Sequence, residues 1–351
     1  MPSSDVQSPV FEASPPLKTA ILAPLDRADN IRATRRVGVE VEFTSLGARA
    51  AAYALTTAWG GTVEREDAQA YVARGTALGD LAVELDVRHL HPKRHPAVRL
   101  PQLGEQLAAV AGWMLHRLVP CELITAPRPV DRLTDVDLAC AALRRAGARG
   151  AGATAFASLG MHLNIEAPCL EAGYLTAVLK AYLLLEAWLR RETQPAKQVW
   201  APHRPQRFPH AYVRQVIAPD YWPDMDRFIR DYLTANPTRD RGLDFLPLLL
   251  HLDEAQVRSR LPYEKIGARP AFHYRLPLAY VGDPAWSIRP DWTRWLAVEV
   301  LADDPEKLMA LGELYLCFQG TSDAWADMVM PDETSRPCSE PKNWSPTAGT
   351  S

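Results

Sequence analysis

Residues Arg36–Phe43 (RVGVEVEF) alternate strictly between apolar side chains and polar or small ones. The apolar members are Val37, Val39, Val41 and Phe43. A period of two with β-branched residues predicts a half-buried strand. Its polar face carries Glu40 and Glu42, whose carboxylates would lie roughly 6–7 Å apart along the strand, where like charges repel. That face is therefore either open to solvent or occupied by something positive.

Three more segments alternate in the same way: Leu81–Val87, Gly160–Glu166 and Ala271–Leu276. Their polar faces carry Glu84 and Asp86, then His162, Asn164 and Glu166, then His273 and Arg275. Each segment alone fits the solvated side of a sheet, and a lone histidine is more often a satisfied buried residue. A merely solvated face, however, usually mixes lysine, threonine and serine with its acids. If the four strands are neighbours, their carboxylates and imidazoles converge.

Converging carboxylates need compensation, because an uncompensated close pair costs up to about 4 kcal/mol at an effective dielectric near 20. Divalent cations would remove that cost. Oxygen ligands with one imidazole suit Mg²⁺ or Mn²⁺ better than zinc, and Mg²⁺ commonly shares its ligands with substrate phosphates. Arg275 would supply positive charge for a phosphate or a transition state. The pattern favours phosphoryl chemistry on the polar face of a sheet.

Strands separated by pairs of helices predict an α+β fold, with a sheet that has helices on one side. The predicted helices are Gly47–Trp59, Pro101–Val119, Asp131–Arg144, Glu171–Arg191, Trp222–Leu233, Leu243–Arg260 with a break at Pro247, Asp291–Leu301 and Asp304–Cys317. A hairpin is predicted around residues 62–72 and a loop over Val199–Tyr212. We expect a flexible leader at 1–30, a single catalytic domain at 31–330 and a disordered tail at 331–351.

Composition narrows the function classes. A formal charge of −3 over 351 residues gives no electrostatic reason to expect nucleic acid or a membrane surface as a partner. The five cysteines are scattered without a CxxC pair, which favours a reduced cytoplasmic protein. No secretory signal is visible, and Lys180 and Glu186 interrupt the most apolar helix, which argues against a membrane span.

Several of these segments resemble a known family. Ser158–Asn164 (SLGMHLN) resembles the Gly-Met-His-x-Asn segment of glutamine synthetases, and Gly38–Phe43 resembles the first metal-binding strand of the wider carboxylate–amine ligase superfamily. With Leu78–Asp86 and Pro270–Pro277, the order of motifs is most similar to the amidoligase family of that superfamily. The resemblance runs from about Arg36 to Tyr315.

This resemblance implies a curved antiparallel funnel with ATP entering one end. ATP would phosphorylate a small-molecule or peptide carboxylate, and an amine would displace the phosphate to give an amide. Glu40 and Glu42 would bind two metals, Mg²⁺ or Mn²⁺, with Glu84 joining one and His162 the other. Asp86 and Glu166 would be further metal ligands or would support them. Arg275 corresponds to the arginine that neutralises the transferred phosphate, with His273 beside it and Asn164 near the nucleotide.

Other readings stay open at this point. Lys265 and Arg269 would either contact phosphates or be ordinary surface charge, and Arg204 and Arg207 would either clamp a carboxylate or lie in a solvated connector. His89, His91 and His95, next to prolines, fit a loop better than a metal site. The same carboxylates could serve a metal-dependent hydrolase, or the fold could be a non-catalytic module. The sequence leaves an oligomer open.

Overall fold

The structure is a computed structural model that describes residues 35–85, 120–152, 159–193 and 205–330. Nine strands within these ranges form one sheet. They are β1 (Arg36–Phe43), β2 (Thr62–Arg65), β3 (Ala70–Thr76), β4 (Gly79–Leu85), β5 (Cys121–Thr125), β6 (Arg128–Pro129), β7 (Met161–Glu166), β8 (Leu243–Asp244) and β9 (Ala271–Tyr274). The order across the sheet is β2-β3-β4-β5-β1-β7-β9-β8, and β6 pairs with β1. These strand pairs are antiparallel.

Strand β1 lies in the middle of the sheet, between β5 and β7. Its four alternate apolar residues have no exposed surface, which confirms the predicted strand and the direction of its apolar face. The same alternation buries Leu81, Val83 and Leu85 of β4 and Met161, Leu163 and Ile165 of β7. The apolar residues of neighbouring strands therefore share one face, and the polar residues share the other.

Ten helices accompany the sheet in the described ranges. They are α1 (Ala48–Trp59), α2 (Thr134–Arg145), α3 (Ala172–Thr193), α4 (His210–Ile217), α5 (Met225–Ala235), α6 (Leu246–Leu252), α7 (Glu254–Arg260), α8 (Arg289–Ala302), α9 (Pro305–Cys317) and α10 (Ser322–Val329). Helix α1 packs on β3 and β4, while α4, α8, α9 and α10 pack around α3. The predicted α+β arrangement, an open antiparallel sheet with helices on one side, is confirmed.

The predicted helix Leu243–Arg260 is wrong at both its start and its break. The segment opens with the two-residue strand β8, and α6 then begins with Pro247 in its first turn. A proline there loses no hydrogen bond, because first-turn amides lack helical partners. The chain turns instead at Asp253, which caps α7 by accepting a 2.9 Å hydrogen bond from the backbone N–H of Gln256. Pro247 therefore begins a helix rather than breaking one.

Two further helices differ from the sequence predictions. Helix α4 starts at His210, inside the segment predicted to be a loop, and α10 follows the last predicted helix. The predicted cap of α9 is confirmed, since Asp304 accepts a 3.0 Å hydrogen bond from the backbone N–H of Lys307. The following predictions lie outside the described residues: the helix 101–119, the leader 1–30, the tail 331–351, and the side chains of Asp86, His89, His91, His95 and Arg204.

Helix α3 is the core helix of the fold. Among the described residues it alone is long and apolar enough to cross a bilayer, but 78% of its most apolar window is buried inside the protein. Its two charged interruptions are buried as well: Lys180 donates to the carbonyl oxygen of Ala218 at 2.7 Å, and Glu186 accepts from Arg190 at 2.7 Å. This burial is that of a helix in the core of the fold. Cys121, Cys140, Cys169 and Cys317 are free thiols in the described part of the chain.

Candidate active site

The side chains with chemical capacity lie on the face of the sheet opposite the helices. Successive side chains of a strand point to opposite faces of the sheet. Because every second side chain of these strands packs in the core beneath the helices, the side chains between them point to the opposite face. The set comprises Glu84 of β4, Glu122 of β5, Glu40 and Glu42 of β1, His162 and Asn164 of β7, His273 of β9 and Asp244 of β8. Six strands thus present their polar residues to one shared surface.

Three glutamates form a row across one half of this surface. Glu84 lies directly opposite Glu122, and Glu122 lies directly opposite Glu42 in the strand pairing. The side chain of Glu122 is only 13% exposed. Like charges directly opposite each other destabilise a sheet, and reduced contact with water strengthens the repulsion. The row therefore creates a site where a cation is favoured.

Glu42 is held at the end of this row by the chain segment that leads into β7. Its Oε2 accepts a 2.7 Å hydrogen bond from the backbone N–H of Gly160. A Cβ at position 160 would lie 2.9 Å from Nε2 of His162 and 3.6 Å from Oε2 of Glu42. The absence of a side chain at Gly160 is what lets the imidazole and the carboxylate approach the backbone here.

Glu40 connects the acidic row to the other half of the surface. Its Oε1 accepts a 2.9 Å hydrogen bond from Nδ2 of Asn164 and lies 3.6 Å from the guanidinium of Arg269. Its Oε2 lies 3.1 Å from Nδ1 of His162 and 3.6 Å from Nε2 of His273. One oxygen therefore faces an amide and a guanidinium, and the other faces two imidazoles.

The electrostatics of this contact set the charge states of both partners. Burial raises the pKa of Glu40, but the hydrogen bond from His162 and the neighbouring His273 outweigh it and hold that pKa well below its usual value. Burial lowers the pKa of His162, and the positive charge of Arg275 acts in the same direction. At neutral pH the pair is an ionised carboxylate beside a neutral imidazole. Those are the states that metal coordination requires.

His273 is supported from behind by two residues. Strand β8 places Asp244 opposite His273, with Oδ2 of the carboxylate 3.2 Å from Nδ1 of the ring. Arg239 donates its Nε–H to the same oxygen at 3.1 Å, and its Nη1–H to the carbonyl oxygen of Lys265 at 3.1 Å. Burial raises the pKa of Asp244, but the hydrogen bond from His273 and the charge of Arg239 lower it further than burial raises it. The ion pair is thus anchored to the loop before β9.

Cationic side chains gather on this side of the surface. Arg275 donates to the backbone carbonyl oxygen of Arg239, while its own backbone N–H donates to Gly242 at 2.8 Å. Buried nitrogens of Lys265 (Nζ), Arg269 (Nε) and Arg275 (Nε) have no hydrogen-bond partner in the described part of the chain. Buried polar atoms are nearly always satisfied in native proteins, by protein, water or ligand. Arg269 and Arg275 have partners through their other nitrogens, so it is these three atoms alone that are left to water or a ligand.

Two groups of side chains bring three ligand atoms within 4.8 Å of one another. One contains Glu40, His162 and His273, and the other contains Glu42, Glu122 and His162. His162 is common to both, since it lies between the acidic row and the imidazole side. Either group has the number and type of donors to hold a divalent cation.

The predicted site residues do not all converge. Glu84 lies at the outer end of the acidic row, beside Glu122 but outside both three-residue groups. Glu166 lies at the opposite end of β7, where it is exposed and accepts a 2.8 Å hydrogen bond from the backbone N–H of Arg36. Arg207 lines a cavity between helices α3, α4 and α10 and not the polar face of the sheet that carries Glu40 and Glu42. The convergent predicted residues are Glu40, Glu42, His162, Asn164, Arg269 and His273.

Sequence reasoning missed three residues of this surface. Glu122 lies in CELIT, which alternates on its buried side, but Ile124 on the open side hides the polar pattern. Asp244 lies in a strand of two residues, too short to show any period, and directly before a helix. Arg239 lies in a loop and reaches the site only through the tertiary fold. A signal existed only for Glu122, in the alternation of Cys121, Leu123 and Thr125.

Comparison with known families places the chain in a family. A family model described as "putative amidoligase enzyme" matches residues 33–297, which is most of the chain and contains every residue of the surface described above. No curated protein and no solved structure matches the chain at a significant level. Since the match covers well over half of the 351 residues, this chain belongs to the amidoligase family.

Proposed function

We propose that this chain is an ATP-dependent carboxylate–amine ligase that uses two divalent metal ions. The observation that carries the proposal is the division of one sheet face into a row of glutamates and an adjoining set of cationic side chains, Lys265, Arg269 and Arg275, each with one buried nitrogen that has no hydrogen-bond partner among the described residues. Such a surface suits a ligand that is itself a metal–polyphosphate complex, with cations toward the glutamates and phosphate oxygens toward the guanidinium groups. Membership of the amidoligase family supports the same reaction class.

The residues present fit two metal ions. Bonds of about 2.1 Å place neighbouring ligand atoms roughly 3.0–3.5 Å apart, and Oε2 of Glu40 lies 3.1 Å from Nδ1 of His162 and 3.6 Å from Nε2 of His273. One ion would be held by this group and the other by Glu42 and Glu122, with His162 a ligand of only one of the two, because a neutral imidazole offers a single lone pair. When bound, Mg²⁺ or Mn²⁺ would neutralise the glutamates and withdraw charge from the phosphates.

The protein's part in the reaction is positioning and electrostatic stabilisation. A carboxylate oxygen of the substrate attacks the γ-phosphorus of ATP, which gives an acyl phosphate and releases ADP. An amine nitrogen then attacks the acyl carbon, phosphate leaves, and the nitrogen loses a proton to give the amide. Arg275, Arg269 and Lys265 would bind the transferred phosphate, whose negative charge is greatest during transfer. Asn164 would keep the carboxylate of Glu40 in place.

The resemblance to glutamine synthetases extends the proposal to the shape of the site. We propose that the sheet is the curved catalytic funnel of that superfamily, with ATP entering one end and the carboxylate and amine meeting it from the other. The substrates would be a small-molecule or peptide carboxylate and an amine, in the cytoplasm. An oligomer is compatible with this arrangement.

Calorimetric titration of ATP into the purified protein, with and without Mg²⁺, tests the function. We expect binding that needs Mg²⁺ and that disappears in Glu40→Ala, whereas Glu64→Ala on the exposed strand β2 leaves it unchanged. Metal-dependent binding would justify screening carboxylate–amine pairs for ADP release. Absence of ATP binding under both conditions would overturn the ligase and would favour a metal-dependent hydrolase on the same surface.

A further inference from the structure

We infer that the group formed by Glu40, His162 and His273 selects a transition-metal dication of the zinc, cobalt and iron(II) class over Mg²⁺, and that Asp244 orients His273 for this selection. The inference rests on the proposed function and narrows the identity of one of its two metals. The second site, at Glu42 and Glu122, would keep the preference for Mg²⁺ that its two carboxylates imply, with His162 committed to the first group.

The donor atoms of the first group carry the distinction. Two imidazole nitrogens and one carboxylate oxygen converge there. Mg²⁺ favours oxygen ligands and loses bound water reluctantly, whereas imidazole suits zinc, iron, nickel and copper. Affinity for such mixed sites also rises along the first transition series. A pair of imidazoles is therefore a poor set of ligands for Mg²⁺ and a good one for Zn²⁺ or Co²⁺.

His273 is placed as a ligand rather than as a structural side chain. Its Nε2 is buried, lies 3.6 Å from Oε2 of Glu40 and has no hydrogen-bond partner among the described residues, while the side chain is only 3% exposed. A buried ring nitrogen left without a partner destabilises the folded protein. A metal ion between Glu40, His162 and His273 would satisfy this nitrogen.

Asp244 determines which nitrogen of His273 faces the site. Two groups meet Nδ1 of His273: Oδ2 of Asp244 at 3.2 Å, which can only accept, and Nη2 of Arg239 at 3.3 Å, which can only donate. We assign the ring proton to Nδ1, toward the nearer carboxylate, and this leaves the Nε2 lone pair toward Glu40. Arg239 holds the carboxylate from the other side at 3.1 Å. A carboxylate behind a histidine fixes the tautomer and makes the free nitrogen a stronger metal ligand. Asp244 is therefore a positioning residue for the metal.

Direct metal binding, without ATP or substrates, tests the inference. The full chain is stripped with chelator and titrated with Co²⁺, followed by its visible absorption, and then with Zn²⁺ and Mg²⁺ in competition. We expect one Co²⁺ equivalent whose spectrum is abolished by Zn²⁺ at stoichiometric amounts, while Mg²⁺ at 100-fold excess leaves it in place. Displacement of Co²⁺ by Mg²⁺ under these conditions would overturn the inference.

Variants identify the residues responsible. His273→Gln should weaken Co²⁺ binding by more than 100-fold and shift its absorption bands, and Asp244→Asn should weaken it by about 10–100-fold. The matched controls are His251→Gln, an exposed histidine of α6, and Asp240→Asn, in the loop that leads into β8. Both should bind Co²⁺ as the wild type does. Circular dichroism checks folding, and pulsed electron paramagnetic resonance of bound Mn²⁺ counts imidazole nitrogens independently of affinity.

These outcomes separate the inference from the proposed function. Two coupled imidazoles in the wild type and one in His273→Gln would support the inference even if no ATP binding were found. Equal nitrogen couplings in the two proteins would overturn it, even if ATP binding and ADP release were fully established. If Asp244→Asn does not fold, the His273→Gln comparison still decides the metal ligand, and Asp244→Glu, which keeps the carboxylate, replaces it for the positioning test.

Discussion

The two halves of the polar face are built on different principles. On β4, β5 and β1, glutamates lie opposite one another at regular strand positions, with like charges facing each other. On β7, β9 and β8, each ionisable side chain faces an opposite or neutral partner, as in Asn164 with His273 and His273 with Asp244. Added cations would reduce the repulsion within the first half, whereas the second half already pairs its charges in the ion pairs of Asp244 with Arg239 and His273.

This difference indicates a division of labour. The self-compensated half has a fixed geometry before any ligand arrives, because Arg239, Asp244 and His273 already restrain one another. Preorganised groups of that kind lower the cost of stabilising charge in a transition state. The glutamate half supplies affinity for metal ions. Substitutions in the two halves should therefore affect different measurements.

The largest effect is expected from Arg275→Gln in the self-compensated half. Loss of a positioned donor to a developing charge lowers kcat by about 100–1000-fold, measured as ADP release with a carboxylate–amine pair. Metal binding should change far less, because the hydrogen bond of the Arg275 side chain goes to the backbone carbonyl oxygen of Arg239 and not to a proposed metal ligand. Arg227→Gln, on the exposed side of α5, is the control. A loss of metal affinity in Arg275→Gln would contradict the division.

The next effect concerns the glutamate row itself. Glu42 belongs to a three-ligand group and Glu84 does not, so Glu42→Gln should weaken Mg²⁺ binding by roughly 100-fold and Glu84→Gln by about 10-fold or less. Calorimetric titration of Mg²⁺ in the presence of an ATP analogue measures both. The two substitutions are matched in chemistry and in strand environment. Equal losses of Mg²⁺ affinity in the two variants would mean that Glu84 binds the metal as directly as Glu42 does.

A carboxylate on the helix side of the sheet provides a contrast to both halves. Burial raises the pKa of Asp291 to about 6, although Arg294 donates to it at 2.6 Å. The folded state then holds this proton more tightly than the unfolded state, whose carboxyl titrates near 3.8. The free energy of unfolding should therefore fall by up to about 2 kcal/mol as pH rises from about 4 to 6.

Asp291→Asn should flatten this part of the stability profile, as measured by urea denaturation across that pH range with chelator present. Metal should make no difference to the change, since Asp291 is on the opposite side of the sheet. An unchanged slope would show that Arg294 compensates the charge fully.

The smallest expected effect is a change in the stability of Glu122→Gln that differs between metal-free protein and protein with Mg²⁺. Glu122→Gln removes a charge from the middle of the glutamate row, so without metal the protein should become more stable by about 0.5–1 kcal/mol. With Mg²⁺ the same variant should gain less stability than the wild type, because a ligand is lost. Thermal unfolding with chelator and with Mg²⁺ measures both terms, and Glu313→Gln on α9 is the control. Destabilisation without metal would show that the row is not strained.

The division between the glutamate half and the self-compensated half of the polar face also separates the residues that the sequence could predict from those that it could not. Strand alternation revealed β1, β4, β7 and β9, since apolar residues at every second position leave a pattern that survives without knowledge of the fold. Glu40, Glu42 and His162 could be named from that pattern alone. Their neighbour Glu122 was hidden because Ile124 interrupts the polar side of β5.

Residues that support the second half could not be found in this way. Asp244 lies in a two-residue strand and Arg239 in a loop, so their roles come from pairing with segments about 30 residues away along the chain. Local pattern carries no information about such contacts. The predicted helix break at Pro247 was wrong for a related reason. Proline breaks a helix interior but is well tolerated in a first turn, and local sequence does not show which of the two positions it occupies.

The position of the first strand has a consequence for how the protein is made. Arg35, just before β1, donates to both carboxylate oxygens of Glu299 at 2.5 and 2.7 Å across 264 residues of sequence, and this ion pair is buried. Strand β1 can form its hydrogen bonds within the sheet only after β5 and β7, its neighbours on either side, have been synthesised. On the ribosome, β1 is made before both of its neighbours in the sheet, and the buried ion pair of Arg35 forms only after Glu299 has been added. Its exposed edges make the nascent chain dependent on slow, long-range contacts, so removal of α8 by truncation should leave a chain that aggregates rather than a smaller folded domain.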